Sequence, residues 1–200
     1  MARAFVLACI FALAATAAWG REVATWNEGR FVLPDGLCGR LESDGAYRIR
    51  RCGGGMHPEF YLFKDADPPQ SRATRRGRLN EVATKSRNGG MDNIWRGFAR
   101  GYGACSISNR EATIENGRIA DHVTVRITGI CRTMSSATEV KSYTIATYVV
   151  TSAGKQVMIT GDFGNARDAT AGVALYRTLV QNVVTGARST PNAPTAKSPS

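Results

Sequence analysis

The sequence lacks every residue arrangement that identifies a common enzyme or metal site. Its only histidines are His57 and His122, and neither belongs to an HExxH zinc motif. It has no Gly-x-Ser-x-Gly nucleophile motif, no Gly-Lys-Ser/Thr phosphate-binding loop and no two cysteines at CxxC spacing. These absences exclude the classes of enzyme and metalloprotein that local motifs reveal. We therefore expect no enzymatic activity, no cofactor and no metal ion.

The chain also lacks an apolar run long enough for a permanent membrane span, and it lacks any Asn-x-Ser/Thr glycosylation sequon. It begins instead with Arg3 and the apolar residues 4–18, a pattern typical of a secretory signal peptide. Cleavage after Ala17 or Gly20 fits the requirement for small residues, and an uncleaved anchor is the alternative. We expect a bacterial protein that is periplasmic or secreted, and not integral to the membrane after leader cleavage.

Cysteine is scarce, and four cysteines remain after cleavage of the predicted leader, which contains Cys9. An even number of cysteines in an oxidising compartment indicates two disulfides, for which three pairings exist. Pairing between cysteines close in sequence is favoured, because each bridge then brackets a short β segment. The predicted disulfides are Cys38–Cys52 and Cys105–Cys131.

Large apolar residues are absent from the C-terminal segment Gly186 to Ser200, which reads GARSTPNAPTAKSPS. Such a segment buries too little surface to offset the entropy of ordering it. We expect it to be disordered. The predicted organisation is a signal peptide over residues 1–20, a single α+β domain over 21–185 and a disordered tail over 186–200.

Apolar residues between Tyr102 and Phe163 mostly alternate with polar ones, which predicts an antiparallel β meander. Asn116-Gly117 signals a two-residue hairpin turn, since both residues tolerate a positive φ. The strand after it, residues 118–131, places His122 on the solvent-facing side as an ordinary surface histidine. Its buried face is predicted to carry Val123, Val125, Ile127 and Cys131.

After Asn165 the apolar residues repeat every four positions, which predicts a C-terminal helix. Asn165 or Asp168 would cap its N-terminus, and Gly186 would end it. Tyr176 and Arg177 are predicted to lie off its apolar stripe. That stripe consists of Ala171, Leu175, Leu179 and Val183.

The N-terminal third predicts strands over residues 23–33, 47–52 and 59–64, with a turn at Pro34-Asp35-Gly36. The fold class is then α+β: an antiparallel sheet, largely a meander, packed by a C-terminal α-helix and stapled by disulfides. The order of strands followed by a closing helix resembles that of small exported PsbP/Mog1-like domains. No sequence motif carries this resemblance, and it implies no function here.

The most basic part of the chain lies between the two β regions, from Asp65 to Gly101. Arginine binds phosphates and carboxylates through two parallel N–H groups and stacks on aromatic rings, so this composition suits an anionic partner. The formal net charge of the whole chain, +10, favours anions in the same sense. The predicted contact residues are Arg72, Arg75, Arg76, Arg78, Lys85, Arg87, Trp95, Arg96 and Arg100.

A plainer interpretation of the same segment stays open. The basic residues would then form a solvated helix or loop with no partner. Ile94, Trp95 and Phe98 would be the buried face of a short helix that Asp92 caps.

The sequence thus predicts an exported, non-enzymatic binding or accessory protein of the bacterial envelope. Its partner would be an anionic envelope polymer or lipid, or one acidic protein; nucleic acid is not expected in that compartment. One alternative is a small secreted hydrolase or effector with His57 and His122 as its acid/base residues. Another is an inhibitor or immunity-type protein with one tight protein partner.

Overall fold

The computed structural model describes residues 22–55, 57–164 and 166–186, without the side chains of residues 98 and 166–169. The predicted signal peptide, the tail from residue 187 onward, and helix capping by Asn165 or the Asp168 side chain lie outside the described residues. Within the described ranges, no helix is both long enough and apolar enough to cross a membrane.

Nine strands, three α-helices and one 3₁₀ turn make up the described part of the chain. β1 and β2 form a separate hairpin, and the other strands form one antiparallel sheet with the order β3-β4-β5-β9-β8-β7-β6. The α+β fold class, the meander from β6 to β9 and the C-terminal helix are confirmed. The elements are β1 (Val23–Trp26), β2 (Gly29–Val32), β3 (Leu37–Leu41), β4 (Tyr47–Arg51), β5 (Glu59–Lys64), α1 (Arg72–Arg87), α2 (Asp92–Ala99), the 3₁₀ turn (Arg100–Tyr102), β6 (Ala104–Glu115), β7 (His122–Arg132), β8 (Ala137–Val150), β9 (Gln156–Asp162) and α3 (Ala166–Thr185).

Helices cover each face of the large sheet only in part, and they cover opposite halves. α3 and the β1–β2 hairpin pack on one face, where Phe60, Leu62 and Ile159 are buried. α1 and α2 pack on the other face over β6, β7 and β8, where Val123 and Ile127 are buried. Neighbouring strand residues point to opposite faces, so each strand serves both layers. Because the helices cover only part of each face, each face keeps a half-exposed area beside a helix.

The buried face of α3 differs from the predicted stripe. Tyr176, predicted to lie off the stripe, is 3% exposed and donates its hydroxyl to the Ile159 carbonyl at 2.9 Å. Ala171, predicted on the stripe, is exposed. The helix ends where predicted, because Gly186 has a φ of 72°. The buried face consists of Gly172, Tyr176, Leu179, Val180 and Val183.

The segment predicted as one strand over residues 23–33 is a hairpin. β1 and β2 pair through a turn at Asn27 and Glu28, whose φ values are 50° and 65°. Two consecutive positive φ angles mark a type I′ turn, which Asn-Glu signals far less clearly than Asn-Gly. β3 was not predicted at all. The turn from Pro34 to Gly36 and the strands β4 and β5 lie where expected.

Asn116-Gly117 does not form the predicted two-residue turn. Glu115 pairs with His122, so residues 116–121 form a loop between β6 and β7. The cause is Asp121, whose buried carboxylate is held by side chains of α1 and keeps these residues out of the strand ladder. His122 also departs from its predicted solvated position, since its side chain is 14% exposed.

Both predicted disulfides are present. Cys38–Cys52 links β3 to the residue after β4, with Cα atoms 5.1 Å apart. Cys105–Cys131 links the directly paired positions of β6 and β7, with Cα atoms 3.9 Å apart. Each bridge brackets one turn between neighbouring strands, as the spacing argument requires.

Candidate functional site

Two arginines of α1 hold the loop between β6 and β7. Asp121 is 5% exposed, and its carboxylate accepts hydrogen bonds from Arg72 and, at 3.1 Å, from Arg76. Arg72 also donates to the Gly117 carbonyl at 2.9 Å, and Arg76 donates to the Asn116 side chain. We call Arg72, Arg76 and Asp121 the α1 clamp. These hydrogen bonds, that from Arg72 first, lower the pKa of Asp121 and favour its ionised form.

Arg78 and Arg75 are also bonded within the chain. Arg78 lies over the Tyr148 ring, 4.2 Å from its centroid, and pairs with Asp65 and with Asp67. Arg75 donates to the carbonyl of Gln70. Four of the predicted contact residues therefore spend much of their hydrogen-bonding capacity on the fold itself.

Three other predicted contact residues remain available to a partner. They lie near the end of α1, on α2 and on the 3₁₀ turn, and all are exposed. Among the described residues, none of them has a carboxylate within ion-pair distance. We call these residues the α2 basic surface: Lys85, Arg96 and Arg100. The remaining predicted arginine, Arg87, donates to the Ala112 carbonyl.

Trp95 belongs to the core. It is 1% exposed, and its indole N–H donates to the Val140 carbonyl at 3.3 Å. The predicted buried face of this helix is only partly found, because Ile94 is 39% exposed. Asp92 lies in the first turn of α2 and binds Arg110 through two 2.7 Å hydrogen bonds, which lower the pKa of Asp92. Trp95 thus follows the plainer interpretation and offers no surface to a partner.

A pocket of about 320 Å³ opens between α3 and the loop of residues 116–121. Its floor is apolar, with Ile145 and Val180 buried and Val173 half-buried. The two hydroxyls that line it are bonded elsewhere: that of Tyr176 to the Ile159 carbonyl, and that of Thr147 to the Asp121 carbonyl at 2.6 Å. The charged and polar side chains at its edge are Glu115, Asn116, Arg118, His122 and Arg177.

The edge of this pocket carries an excess of positive charge. Arg118 and Arg177 are exposed, and neither forms an ion pair with any residue in the described ranges. Among the described side chains, Glu115 is the one acidic residue that lines the pocket, and its Oε2 lies 3.5 Å from Nε2 of His122. The two arginines come from different elements, the loop and α3, and flank the same opening.

A second cavity, of about 390 Å³, lies on the opposite sheet face between α2 and the strands β4, β5 and β9. Glu59 and Asp162 stand opposite each other in the strand register, and Arg48 pairs with Glu59. Nδ1 of His57 lies 3.8 Å from Oδ1 of Asp162. Burial raises the pKa of Asp162, against the lowering effect of a hydrogen bond from the Gly164 N–H. An acid and an imidazole therefore meet in this cavity.

Sequence reasoning found neither cavity, because both are assembled from strand register and helix placement. The arginines of α1 were visible in the sequence, but their partners Asp65 and Asp121 were not recognisable as counter-ions. Each histidine lies beside a carboxylate, which the sequence did not predict. Within the described ranges, no three His, Cys, Asp or Glu side chains are placed to hold a metal ion.

Comparisons with known proteins assign the chain to no family. It matches no protein-family model and has no significant match among curated proteins. Among solved structures it is similar to the Ran-binding protein Mog1p of Saccharomyces cerevisiae, with 11% sequence identity and a TM-score of 0.33. That alignment covers 83% of this chain and 94% of Mog1p. A likeness of this size carries no conclusion about function.

Proposed function

We propose that this chain is an exported, non-enzymatic binding or accessory protein of the bacterial envelope, and that it binds an anionic polymer or lipid. The observation that supports the proposal is the charge left after internal pairing. Buried or half-buried acids such as Asp65, Asp92 and Asp121 are already bound by arginines of the same chain. Exposed cations that have no carboxylate partner among the described residues, such as Lys85, Arg96 and Arg100, then give this part of the surface its positive charge.

The α2 basic surface is the part of the predicted segment that fits this role. Exposed arginine and lysine side chains bind phosphate and carboxylate groups, and arginine does so through two parallel N–H groups. Salt screens charges in such exposed positions, so binding should weaken as ionic strength rises. The α1 clamp and Trp95 do not contribute, because they are committed to the fold.

The test is cosedimentation with anionic phosphatidylglycerol vesicles and with lipopolysaccharide, at low and high salt. The variant changes Lys85, Arg96 and Arg100 to Glu, and should lose binding that the parent protein shows at low salt. Reversal of Arg72 or Arg76 is unsuitable, since it would place a second negative charge against Asp121. The matched control reverses three exposed cations elsewhere, on β2, β4 and β5: Arg30, Arg51 and Lys64.

Equal loss in both triple variants would contradict the assignment to the α2 basic surface and indicate attraction by net charge alone. Binding by neither the parent nor the variants, at either salt concentration, would contradict the proposed function. Retention of one protein partner from envelope extract at high salt, unaffected by the variant, would favour the inhibitor or immunity-type alternative.

A second candidate function, a small hydrolase, is supported by one observation. His57 and Asp162 meet in the cavity beside α2, where an imidazole could act as a general base. His57→Gln and His122→Gln together should abolish any hydrolytic activity found with ester or glycoside probes. Binding to anionic vesicles should be unchanged in that variant if the first proposal is right.

A further inference from the structure

We propose that the pocket between α3 and the loop of residues 116–121 binds a small amphiphilic carboxylate. Its apolar part would lie on the floor, and its carboxylate would bind Arg118 and Arg177 at the edge. This site is separate from the α2 basic surface, so the proposal stands independently of the function proposed above.

The floor selects an apolar body. Ile145, Val173 and Val180 present hydrocarbon surface, and the hydroxyls of Thr147 and Tyr176 already donate to backbone carbonyls. A polar ligand would lose its bonds to water there and gain few in return. An apolar ligand of matching size gives up no hydrogen bonds to water when it lies on this floor. The pocket volume, about 320 Å³, is at the small end of the range for ligand pockets.

The edge selects a carboxylate. Arg118 and Arg177 approach the opening from two elements, and both lack an ionic partner in the part of the chain that the structure describes. Arginine binds carboxylates through paired, charge-assisted hydrogen bonds. Glu115 opposes an anion, so two arginines against one carboxylate leave a single positive charge in excess among the described side chains at the edge. One negative charge is therefore matched best.

The α1 clamp gives this pocket a formed wall. Arg72 binds both the Gly117 carbonyl and Asp121, and the Asp121 carbonyl accepts the Thr147 hydroxyl of the sheet. The loop is thereby fixed to α1 on one side and to β8 on the other. A wall held in place before binding lowers the entropy cost of ligand capture.

The test is isothermal titration of the full chain with decanoate, decan-1-ol and acetate. Decanoate should bind once per chain, decan-1-ol about tenfold more weakly or worse because it lacks the charge-assisted bonds, and acetate not measurably. Arg118→Gln with Arg177→Gln should remove the preference for decanoate over decan-1-ol. Val173→Trp should fill the pocket and abolish binding of both. Arg30→Gln with Arg132→Gln is the matched control and should bind decanoate like the parent.

Thermal unfolding of each variant checks that it is folded, so that loss of binding reports on the pocket. An unchanged preference for decanoate in the Arg118/Arg177 variant would overturn the proposal, as would equal binding of acetate and decanoate. Failure of the parent protein to bind free decanoate would also overturn it, whether or not the protein binds phosphatidylglycerol vesicles through the α2 basic surface. Variants of the α2 basic surface should bind decanoate normally, so the two proposals fail separately.

Discussion

A single residue, Asp121, joins α1, the loop of residues 116–121 and the sheet. Its carboxylate accepts hydrogen bonds from Arg72 and Arg76, while its backbone carbonyl accepts one from the Thr147 hydroxyl. A buried acid with two cationic partners is stabilising only as long as both partners stay in place, because an unpaired buried charge is costly. The residue therefore matters for the fold first, and for the pocket through the loop it fixes.

We predict that Asp121→Asn lowers the free energy of unfolding at neutral pH by about 1.5–3 kcal/mol, the usual worth of hydrogen bonds to a charged group. The pKa of Asp121 is lowered in the folded state, so its stabilisation is complete above the unfolded pKa and disappears as pH falls through the folded pKa. Urea unfolding at neutral and at strongly acid pH measures this. The difference between parent and variant should shrink in acid, whereas Glu81→Gln on the same helix should change stability little at either pH.

Asp162 should show the opposite dependence. Burial raises its pKa in the folded state, so the folded protein loses stability as pH rises from the unfolded pKa through the folded one. Asp162→Asn keeps an oxygen for the Gly164 N–H and removes this loss. We predict that the variant gains stability relative to the parent as pH rises from 4 to 7, measured by urea unfolding. A relative loss over that range would show that the pairing with His57 outweighs burial.

At the scale of elements, the period of the apolar residues predicted the strands and the helix that the local sequence determines. It missed the features that depend on contacts between residues far apart in the sequence. The meander and α3 follow from apolar periods of two and four residues. The loop of residues 116–121 could not be predicted, because α1 holds it from far along the chain through Asp121. Tyr176 was misassigned because the four-residue repeat from Ala171 to Val183 leaves it off the stripe, whereas its side chain is buried and its hydroxyl donates a hydrogen bond to the Ile159 carbonyl. The candidate pocket depends on both of these elements, and so it was missed.

The packing of α2 on the sheet gives a prediction of its own. Gly129 of β7 faces the Trp95 indole, and a Cβ there would overlap that ring and lie 2.7 Å from the Ser106 carbonyl oxygen. Gly129→Ala should therefore lower stability by about 2 kcal/mol through overpacking. Gly77→Ala on α1, where a Cβ meets no atom within 4 Å, should raise stability by about 0.5–1 kcal/mol. Urea unfolding of both variants measures these changes in stability. An unchanged free energy of unfolding in Gly129→Ala would contradict the packing of the Trp95 indole against Gly129.

At the scale of the whole molecule, the half-covered sheet explains why both cavities exist. α3 leaves the β6–β7 side of one face open, and α2 leaves the β4–β5 side of the other open. Each cavity forms at the edge of a helix, where the helix no longer covers the side chains of the neighbouring strands. The net charge follows from the sequence, and the disulfides were predicted from it. Which arginines bind acids of the same chain, and which face solvent, is visible only in the folded chain.

The two disulfides should stabilise the molecule unequally. They span 26 and 14 residues of sequence, and the chain-entropy account gives about 3.5 and about 3 kcal/mol respectively. Cys105→Ser should therefore lower the free energy of unfolding slightly more than Cys38→Ser. Thiol labelling of unfolded Cys105→Ser, followed by mass spectrometry, should modify Cys131. Labelling of Cys38 in that variant would show a different pairing.

Recovery of ligands from envelope extract at low and high salt is the decisive measurement for binding of an anion by this protein. The bait is the parent protein, with the variant that reverses Lys85, Arg96 and Arg100 beside it. We expect the parent protein to retain an anionic polymer or lipid at low salt, and we expect this ligand to be lost at high salt and in the variant. Recovery of no anionic component, or of one that persists in high salt and in the variant, would contradict it.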